Sequence, residues 1–242
     1  MFEGTWNRNR GSFQLMIVAV IIIALLLALA FGPSLWVRRV MARYQQPADR
    51  YPGTGGELAS HLLTRLELDH VRVEESDIGD HYDPIERAVR LSPKNFHGRS
   101  LTAVTVAAHE VGHAVQDAFG YAPLHWRLQL VKLSRYAQML GAGLLITLPL
   151  VMAATRAPAA GGILMVAVLL SMGSAVLVHL VTLPTELDAS FRRAMPLLEA
   201  GYLKPGDEPH ARRILLAAAL TYVAAALMGL FSVWAWLRIL RP

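Results

Sequence analysis

Two histidines and a glutamate stand close together near the middle of the chain, in the segment His109-Glu110-Val111-Gly112-His113. Residues four apart in a helix share one face, so both imidazoles can reach a single metal ion. Glu110 lies beside them, where its carboxylate can hold a water molecule and accept its proton. Imidazole and carboxylate ligands suit Zn²⁺, which makes a bound water a nucleophile near neutral pH. The pattern predicts a hydrolytic centre with one Zn²⁺ per chain and Glu110 as general base.

The stretch before this motif is apolar, which argues against a surface helix carrying two solvated histidines. Its apolar members are Leu101, Ala103, Val104, Val106, Ala107 and Ala108. Buried histidine and glutamate side chains are costly unless they are paired or coordinated. We therefore predict a largely buried helix from about residue 100 to 118, with His109 and His113 as metal ligands.

Composition indicates that a membrane surrounds the elements that position this motif. Of the 242 residues, 54% are hydrophobic and 17% are charged, whereas soluble domains carry about 25% charged residues. Cysteine is absent, which excludes disulfide frameworks, thiol catalysis and Cys-ligated metals. The net charge of +5 comes from basic residues dispersed beside apolar runs. This distribution favours a protein in contact with anionic lipid and disfavours a nucleic-acid partner.

Four stretches are long and apolar enough to cross a bilayer as helices. Following a short N-terminal tail at 1–12, they are predicted at 13–37, 137–154, 161–183 and 214–239. The first could instead be a signal peptide cleaved near Ala30, but its apolar run is longer than a usual signal sequence. We therefore predict an uncleaved anchor and a multi-pass membrane protein.

The basic residues predict which side of the membrane the polar segments face. One side carries only Arg8, Arg10, Arg156, Arg238 and Arg241. The other carries Arg38, Arg39, Arg43, Arg127, Lys132, Arg135, Arg192, Arg193, Lys204, Arg212 and Arg213. The positive-inside rule places the richer set in the cytoplasm. Segments 38–135 and 184–213 are then cytosolic, and the metal site faces the cytoplasm.

A third zinc ligand is required besides the two histidines. The H-x-x-G-x-x-H continuation of metzincins is absent, because Gln116 and Phe119 replace its glycine and last histidine. Glu186 is the strongest candidate, since it lies just past the third span on the same predicted side as the motif. The sequence leaves four alternatives open: His179, Asp188, Glu199 and Glu208.

The cytosolic segment 38–135 has α+β character. An amphipathic helix is predicted at 57–66. Residues 71–74 and 88–91 alternate apolar and polar side chains, as half-buried strands do. Turn-forming residues at 79–84 separate them. We predict a small β-hairpin packed beside the motif helix.

The chain resembles the YugP-type neutral zinc metallopeptidases, which are small bacterial membrane proteins. The resemblance is carried by Thr54-Gly55-Gly56-Glu57, Asp80-His81-Tyr82-Asp83-Pro84, Val89-Arg90-Leu91-Ser92, and the segments 107–116, 182–190 and 217–226. It implies a zinc-dependent membrane peptidase, distantly similar to HtpX-type proteases, with Glu186 as the third ligand. Those proteases carry an aspartate four residues after that glutamate, where this chain has Ser190. The resemblance does not define a substrate.

Further polar residues are weaker candidates, each with an alternative structural explanation. Asp80 and His81 could position substrate or simply form a turn. Gln116 and Asp188 could hydrogen-bond to the metal ligands. Three possible transition-state donors are Arg193, His210 and Tyr222, which would otherwise be a membrane-interface arginine, a solvated histidine and a hydrogen-bonded tyrosine.

These observations predict a mainly α integral membrane protein with four transmembrane helices and a zincin-like α+β cytosolic peptidase domain. Its function would be gluzincin-like endopeptidase cleavage of membrane or juxtamembrane protein substrates. The alternative is a catalytically weak or inactive zinc-binding scaffold or quality-control factor. A transporter is less well supported, because His179 is the only readily ionisable side chain within the third span.

Overall fold

Helices make up most of the architecture, which is known from a computed structural model describing residues 3–155 and 158–239. The elements in chain order are α1 (Glu3–Arg43), α2 (Gly55–Arg65), β1 (Arg72–Glu75), β2 (His81–Asp83), β3 (Ala88–Leu91), α3 (Pro93–Phe96), α4 (Leu101–Ala118), α5 (Ala122–Thr155), α6 (Pro158–Leu187), a π-helical segment (Asp188–Ala194), α7 (Met195–Glu199) and α8 (Glu208–Ile239).

Three helical stretches within the described residues are long and apolar enough to cross a bilayer. They are Ala122–Ala154, Gly161–Glu199 and Glu208–Phe231. The predicted first span, 13–37, lies within α1, but several of its side chains fall outside the described part of the chain, so a fourth crossing stays a prediction. Helix α1 already begins at Glu3, inside the stretch predicted as a short tail.

Small residues allow the apolar helices to pack closely. Helices α5 and α6 form a hairpin, α6 also packs on α8, and α8 packs on α1. A Cβ atom on Gly141 of α5 would collide with the hydroxyl of Ser171 on α6. Glycine at this position therefore sets the close approach of the two helices.

The sheet corrects the predicted hairpin between residues 71–74 and 88–91. Strands β1 and β3 pair in parallel, and β2 pairs with β3 in the antiparallel sense, which gives the order β1-β3-β2. The residues 81–83 are thus a strand rather than part of a turn. The turn formers bracket this strand: Gly79 reverses the chain with φ of 102°, and Asp83 accepts hydrogen bonds from the N–H groups of Ile85 and Glu86.

Helix α4 is the centre of the core. Every residue from Leu101 to Gln116 is buried, since α2, the sheet, the π-helical segment and α8 surround it. The Ser100 hydroxyl caps its first turn by accepting from the N–H of Ala103. The end of α1 joins the same core through Val37 and Val40. The site-bearing part of the chain is therefore packed directly on the apolar helices.

Candidate metal centre

Helix α4 and the end of α6 bring three ligand-type side chains together. His109 and His113 lie one turn apart on α4, and Glu186 lies in the last turn of α6. Glu186 Oε2 is 3.2 Å from His109 Nε2 and 3.4 Å from His113 Nε2. All three side chains are buried, and their ligand atoms lie within 4.8 Å of one another. The structure thus joins the three predicted ligands.

The hydrogen bonds of His113 fix which ring nitrogen faces this group. Gln116 uses its amide N–H₂ to donate to the Thr185 carbonyl oxygen and to Asp188 Oδ2, each at 2.9 Å. Its amide oxygen therefore faces His113 Nδ1, at 3.0 Å, and accepts a hydrogen bond from it. A neutral His113 carries its hydrogen on Nδ1, so its Nε2 lone pair points toward Glu186.

Ser190 arranges His109 in the same way. The Ser190 hydroxyl donates to the carbonyl oxygen of Leu215, at 3.4 Å. Its lone pairs remain available to His109 Nδ1, which lies 3.2 Å away. Ser190 therefore orients the first histidine. His109 Nε2 and His113 Nε2, the two nitrogens predicted to face the metal, therefore do not need to carry a hydrogen.

The group is suited to a cation because three acceptor atoms converge there. Two imidazole lone pairs and a carboxylate oxygen, all buried, would repel one another without a positive charge between them. Ligand atoms about 2.0–2.1 Å from a tetrahedral Zn²⁺ lie about 3.3 Å apart, close to the distances of 3.2 and 3.4 Å from Glu186 Oε2 to the two histidine nitrogens. The donor set, two imidazoles and one carboxylate, also matches zinc.

Arg127 was missed by the sequence analysis, which treated it only as a membrane-interface charge. It lies on α5 and donates to Glu186 Oε1 and to the Tyr222 hydroxyl, both at 2.8 Å. Arg127 thus occupies one oxygen of Glu186 and leaves Oε2 facing the histidines. Because α5 and α8 meet α6 only in the fold, no spacing in the sequence indicated this contact.

Glu110 lies beside the ligands with its carboxyl group in the same cleft. It is only 6% exposed, and this burial raises its pKa to about 7 because a desolvated carboxylate loses hydration. A carboxyl group with a pKa near neutrality can both accept and return a proton. That property suits the predicted general base.

The cleft has a volume of about 500 Å³ and is bordered by the edge strand β2. Asp80 and His81, both predicted as substrate-positioning candidates, line it, as does Tyr222. Asp80 is also structural, because its carboxylate accepts hydrogen bonds from Ser92 and Asn95. Tyr82 ties β2 to α4 by donating to Asp117 Oδ2 at 2.9 Å. The strand is therefore fixed beside the metal group.

The other predicted site residues lie around the centre or away from it. The Asp188 carboxylate accepts hydrogen bonds from the Gln116 amide and from Arg193 Nε. Asp188 and Arg193 therefore support His113 only indirectly, through Gln116. His210 lies outside the cleft lining and its Nδ1 is 3.0 Å from the Tyr44 hydroxyl. The rival ligand His179 is absent from the group, and its buried Nδ1 has no hydrogen-bond partner among the described residues. The rivals Glu199 and Glu208 pair with Arg212.

The fold and the site together define a helical, membrane-type protein with a buried group of two histidines and one glutamate that could hold a metal ion. Comparison with known proteins agrees: the family model described as "Putative neutral zinc metallopeptidase" matches residues 18–241. The chain belongs to this family. It is 35% identical over 215 residues to the "Putative membrane protease YugP" of Bacillus subtilis (strain 168), covering 84% of this chain and 89% of that protein. No solved structure matches the chain.

Proposed function

We propose that the protein is a gluzincin-like zinc endopeptidase of the bacterial inner membrane. His109, His113 and Glu186 would hold one Zn²⁺, and Glu110 would be the general base. The observation that carries the proposal is the convergence of two Nε2 atoms and one carboxylate oxygen at 3.2–3.4 Å inside a cleft. Membership in a family of zinc metallopeptidases supports it.

The chemistry of the cleft supports catalysis over a purely structural metal. Within the described residues the group contains three ligands, whereas closed structural zinc sites have four. The bound zinc would polarise water and the scissile carbonyl. Glu110 would take the proton from the attacking water and return it to the leaving amine. Tyr222, oriented by Arg127, would donate to the developing oxyanion.

The architecture favours an extended peptide as substrate. Strand β2 is an edge strand, since it pairs with β3 on one side only among the described strands. It borders the cleft, so a peptide could add to its free edge by main-chain hydrogen bonds. The site is built on helices that continue into apolar stretches, and the proposed substrates are therefore membrane proteins or their juxtamembrane segments.

The proposal includes the predicted topology. Segments 38–135 and 184–213 would form a zincin-like cytosolic unit carried by four spans, at 13–37, 137–154, 161–183 and 214–239. The sheet, α4 and the end of α6 support this division, because they join the metal ligands into one core. The active site would face the cytoplasm.

The test uses the full chain in lipid nanodiscs, a labelled mixed-sequence peptide library and metal analysis. Glu110→Gln should keep zinc and lose at least about 100-fold in cleavage rate, because the amide cannot accept a proton. Glu186→Ala should lose zinc. The control Glu199→Ala, at an exposed ion pair, should keep both. Substantial cleavage by the Glu110→Gln protein, or full zinc in Glu186→Ala, would contradict the proposed roles.

A further inference from the structure

The cleft changes from apolar to polar along its length. Besides Arg127, its walls on α5 are Leu124, Leu128 and Val131, which at i, i+4 and i+7 lie on one helix face. Exposure increases along this face, from 3% at Leu124 to 44% at Val131. With about 1.5 Å of rise per residue, the face spans about 10 Å. The α5 side of the cleft therefore becomes more exposed from Leu124 toward the apolar part of that helix.

The end of helix α1 and Gln45, which follows it, line the facing wall, where Val37 is buried and Met41 and Gln45 are partly buried. Gln45, Met41 and Val37 border the cleft, in the order that leads from the cytosolic end of α1 into its apolar stretch. Exposed basic residues follow Val37 and Val131 directly in sequence, namely Arg38 and Lys132. Basic residues at the ends of apolar helices mark the headgroup level of a membrane. The apolar mouth of the cleft thus lies at the membrane surface.

The helix packing leaves this mouth open toward the lipid. Helix α5 packs extensively on α6, while α1 packs on α8; in the part of the chain that the structure describes, neither α1 nor α8 packs extensively on α5. The contact that bridges α5 and α8 beside the metal group is the hydrogen bond from Arg127 to Tyr222. Near this contact, the gap between α5 and the α1–α8 pair is bordered by Val131 and Thr221, and both are exposed.

We infer that the cleft admits the membrane-proximal flank of a membrane-anchored polypeptide, sideways from the lipid, between α5 and the α1–α8 pair. The inference rests on the proposed peptidase function and specifies its substrate. An apolar mouth suits the residues next to a membrane span, while Asp80, Asn95 and Lys94 at the other end suit a polar chain. A lipid acyl chain would match only the apolar half. A polypeptide crossing the membrane surface matches both halves.

Crosslinking tests the route independently of catalysis, because the native chain has no cysteine. The Glu110→Gln protein receives one cysteine, either Val131→Cys at the mouth or Leu133→Cys on the lipid-facing side of α5, where Leu133 is 65% exposed. The probe is a synthetic single-span polyleucine peptide with a polar flank and one cysteine in the first turn of that flank. A second probe is the same flank without the span.

We expect disulfide formation with the spanning probe to be at least five times higher at Val131→Cys than at Leu133→Cys. The flank without a span should react at least five times less at Val131→Cys. Equal reaction at the two positions, no reaction at Val131→Cys, or equal reaction of the two probes would overturn the lateral route.

A cleavage assay with the Glu110-containing protein and the same probes separates the two proposals. Selective crosslinking without zinc-dependent cleavage would contradict the peptidase function while supporting the route. Cleavage of both probes at equal efficiency, with unselective crosslinking, would overturn the route while leaving the peptidase function standing.

Discussion

The hydrogen bonds behind the two imidazoles determine what the centre can bind. Gln116 and Ser190 each present an acceptor to an Nδ1 atom, which leaves both Nε2 lone pairs directed at Glu186. A histidine held in one tautomer loses little orientational freedom on metal binding. We therefore expect the buried polar network around Gln116 to contribute to metal affinity as well as to packing.

Removing either acceptor should weaken zinc binding without abolishing it. We predict that Ser190→Ala and Gln116→Ala each lower zinc affinity by about 10–100-fold, since a histidine without its partner can rotate or change tautomer. Chelator competition measures the affinity. Ser134→Ala is the control, because Ser134 is also buried and hydrogen-bonded to a serine, Ser174, but lies on α5 away from the ligands. Equal affinity in all three variants would contradict the role of the acceptors.

Residue types and spacing predict His109 and His113 as a pair and make Glu186 the strongest of five candidates for the third ligand, and these three residues meet in the structure. His109 and His113 follow from the i, i+4 rule, and Glu186 from its place after an apolar stretch on the same predicted side. Arg127 could not be predicted, because its partners Glu186 and Tyr222 are far from it in sequence. The position of Ser190 against His109 depends on the crossing of α4 with the π-helical segment, which no local pattern encodes.

That crossing is close because Gly112 has no side chain. A Cβ atom there would lie 2.7 Å from the Ala189 carbonyl oxygen. We predict that Gly112→Ala separates α4 from the π-helical segment, costs about 1–3 kcal/mol in stability and weakens zinc binding by displacing Ser190. Thermal unfolding and chelator competition measure the two effects. Gly143→Ala in α5 is the control, since its Cβ would meet nothing within 4 Å.

If both alanine variants behaved alike, the close approach at Gly112 would not be what fixes the ligand geometry. A loss of stability in Gly112→Ala with unchanged zinc affinity would separate packing from metal binding.

The linker after α1 is tied to the start of α8 by a buried carboxylate. Asp207 accepts hydrogen bonds from Arg50 and from the Tyr51 hydroxyl. Burial alone would raise the pKa of Asp207, but these hydrogen bonds and the Arg50 charge together lower it below its usual value. The unfolded chain then binds the proton more tightly, so this contribution to stability is complete above about pH 4 and is lost as the pH falls further.

We predict that Asp207→Asn lowers stability by about 1–3 kcal/mol near neutral pH, where a charged hydrogen-bond acceptor is lost. The difference from the unaltered chain should shrink as the pH falls below about 4. Thermal unfolding in detergent at a series of pH values measures both. Glu208→Gln, at an exposed pair with Arg212, is the control. A difference that grew toward low pH would contradict the assignment.

At the scale of helices and strands, hydropathy and capping signals predict that an element exists. They predict less well where it begins and ends, or which strands pair with each other. The motif helix was expected at 100–118 and is observed at Leu101–Ala118, because Ser100 is a local cap signal. The span expected at 137–154 lies in a helix that begins at Ala122; Arg127, Lys132 and Arg135 lower hydropathy without breaking a helix. The parallel pairing of β1 with β3 depends on β2 occupying the outer edge, a tertiary feature.

Most of the basic residues close to the predicted spans are predicted to lie on one side of the membrane, and this asymmetry can be tested directly. We predict that Ser92→Cys and Lys204→Cys are protected from a membrane-impermeant thiol reagent in intact cells and react after permeabilisation. The reason is the excess of arginine and lysine around 38–135 and 184–213. Mass-tag gel shifts measure the reaction.

Labelling of both cysteines in intact cells would reverse the orientation. Labelling of one alone would conflict with the contact between α4 and the end of α6, because His109 and Glu186 must lie on the same side to meet.

Helix α6 is continuous from Pro158 to Leu187, so one helix connects an apolar stretch to the proposed third ligand. Spanning helices adjust their tilt to the thickness of the surrounding hydrocarbon. A change in the tilt of α6 moves its end, where Glu186 lies. Glu186 then shifts relative to the two histidines on α4. We therefore expect the affinity of the proposed metal centre for zinc to change with lipid chain length, so that thinner or thicker membranes alter the strength of zinc binding.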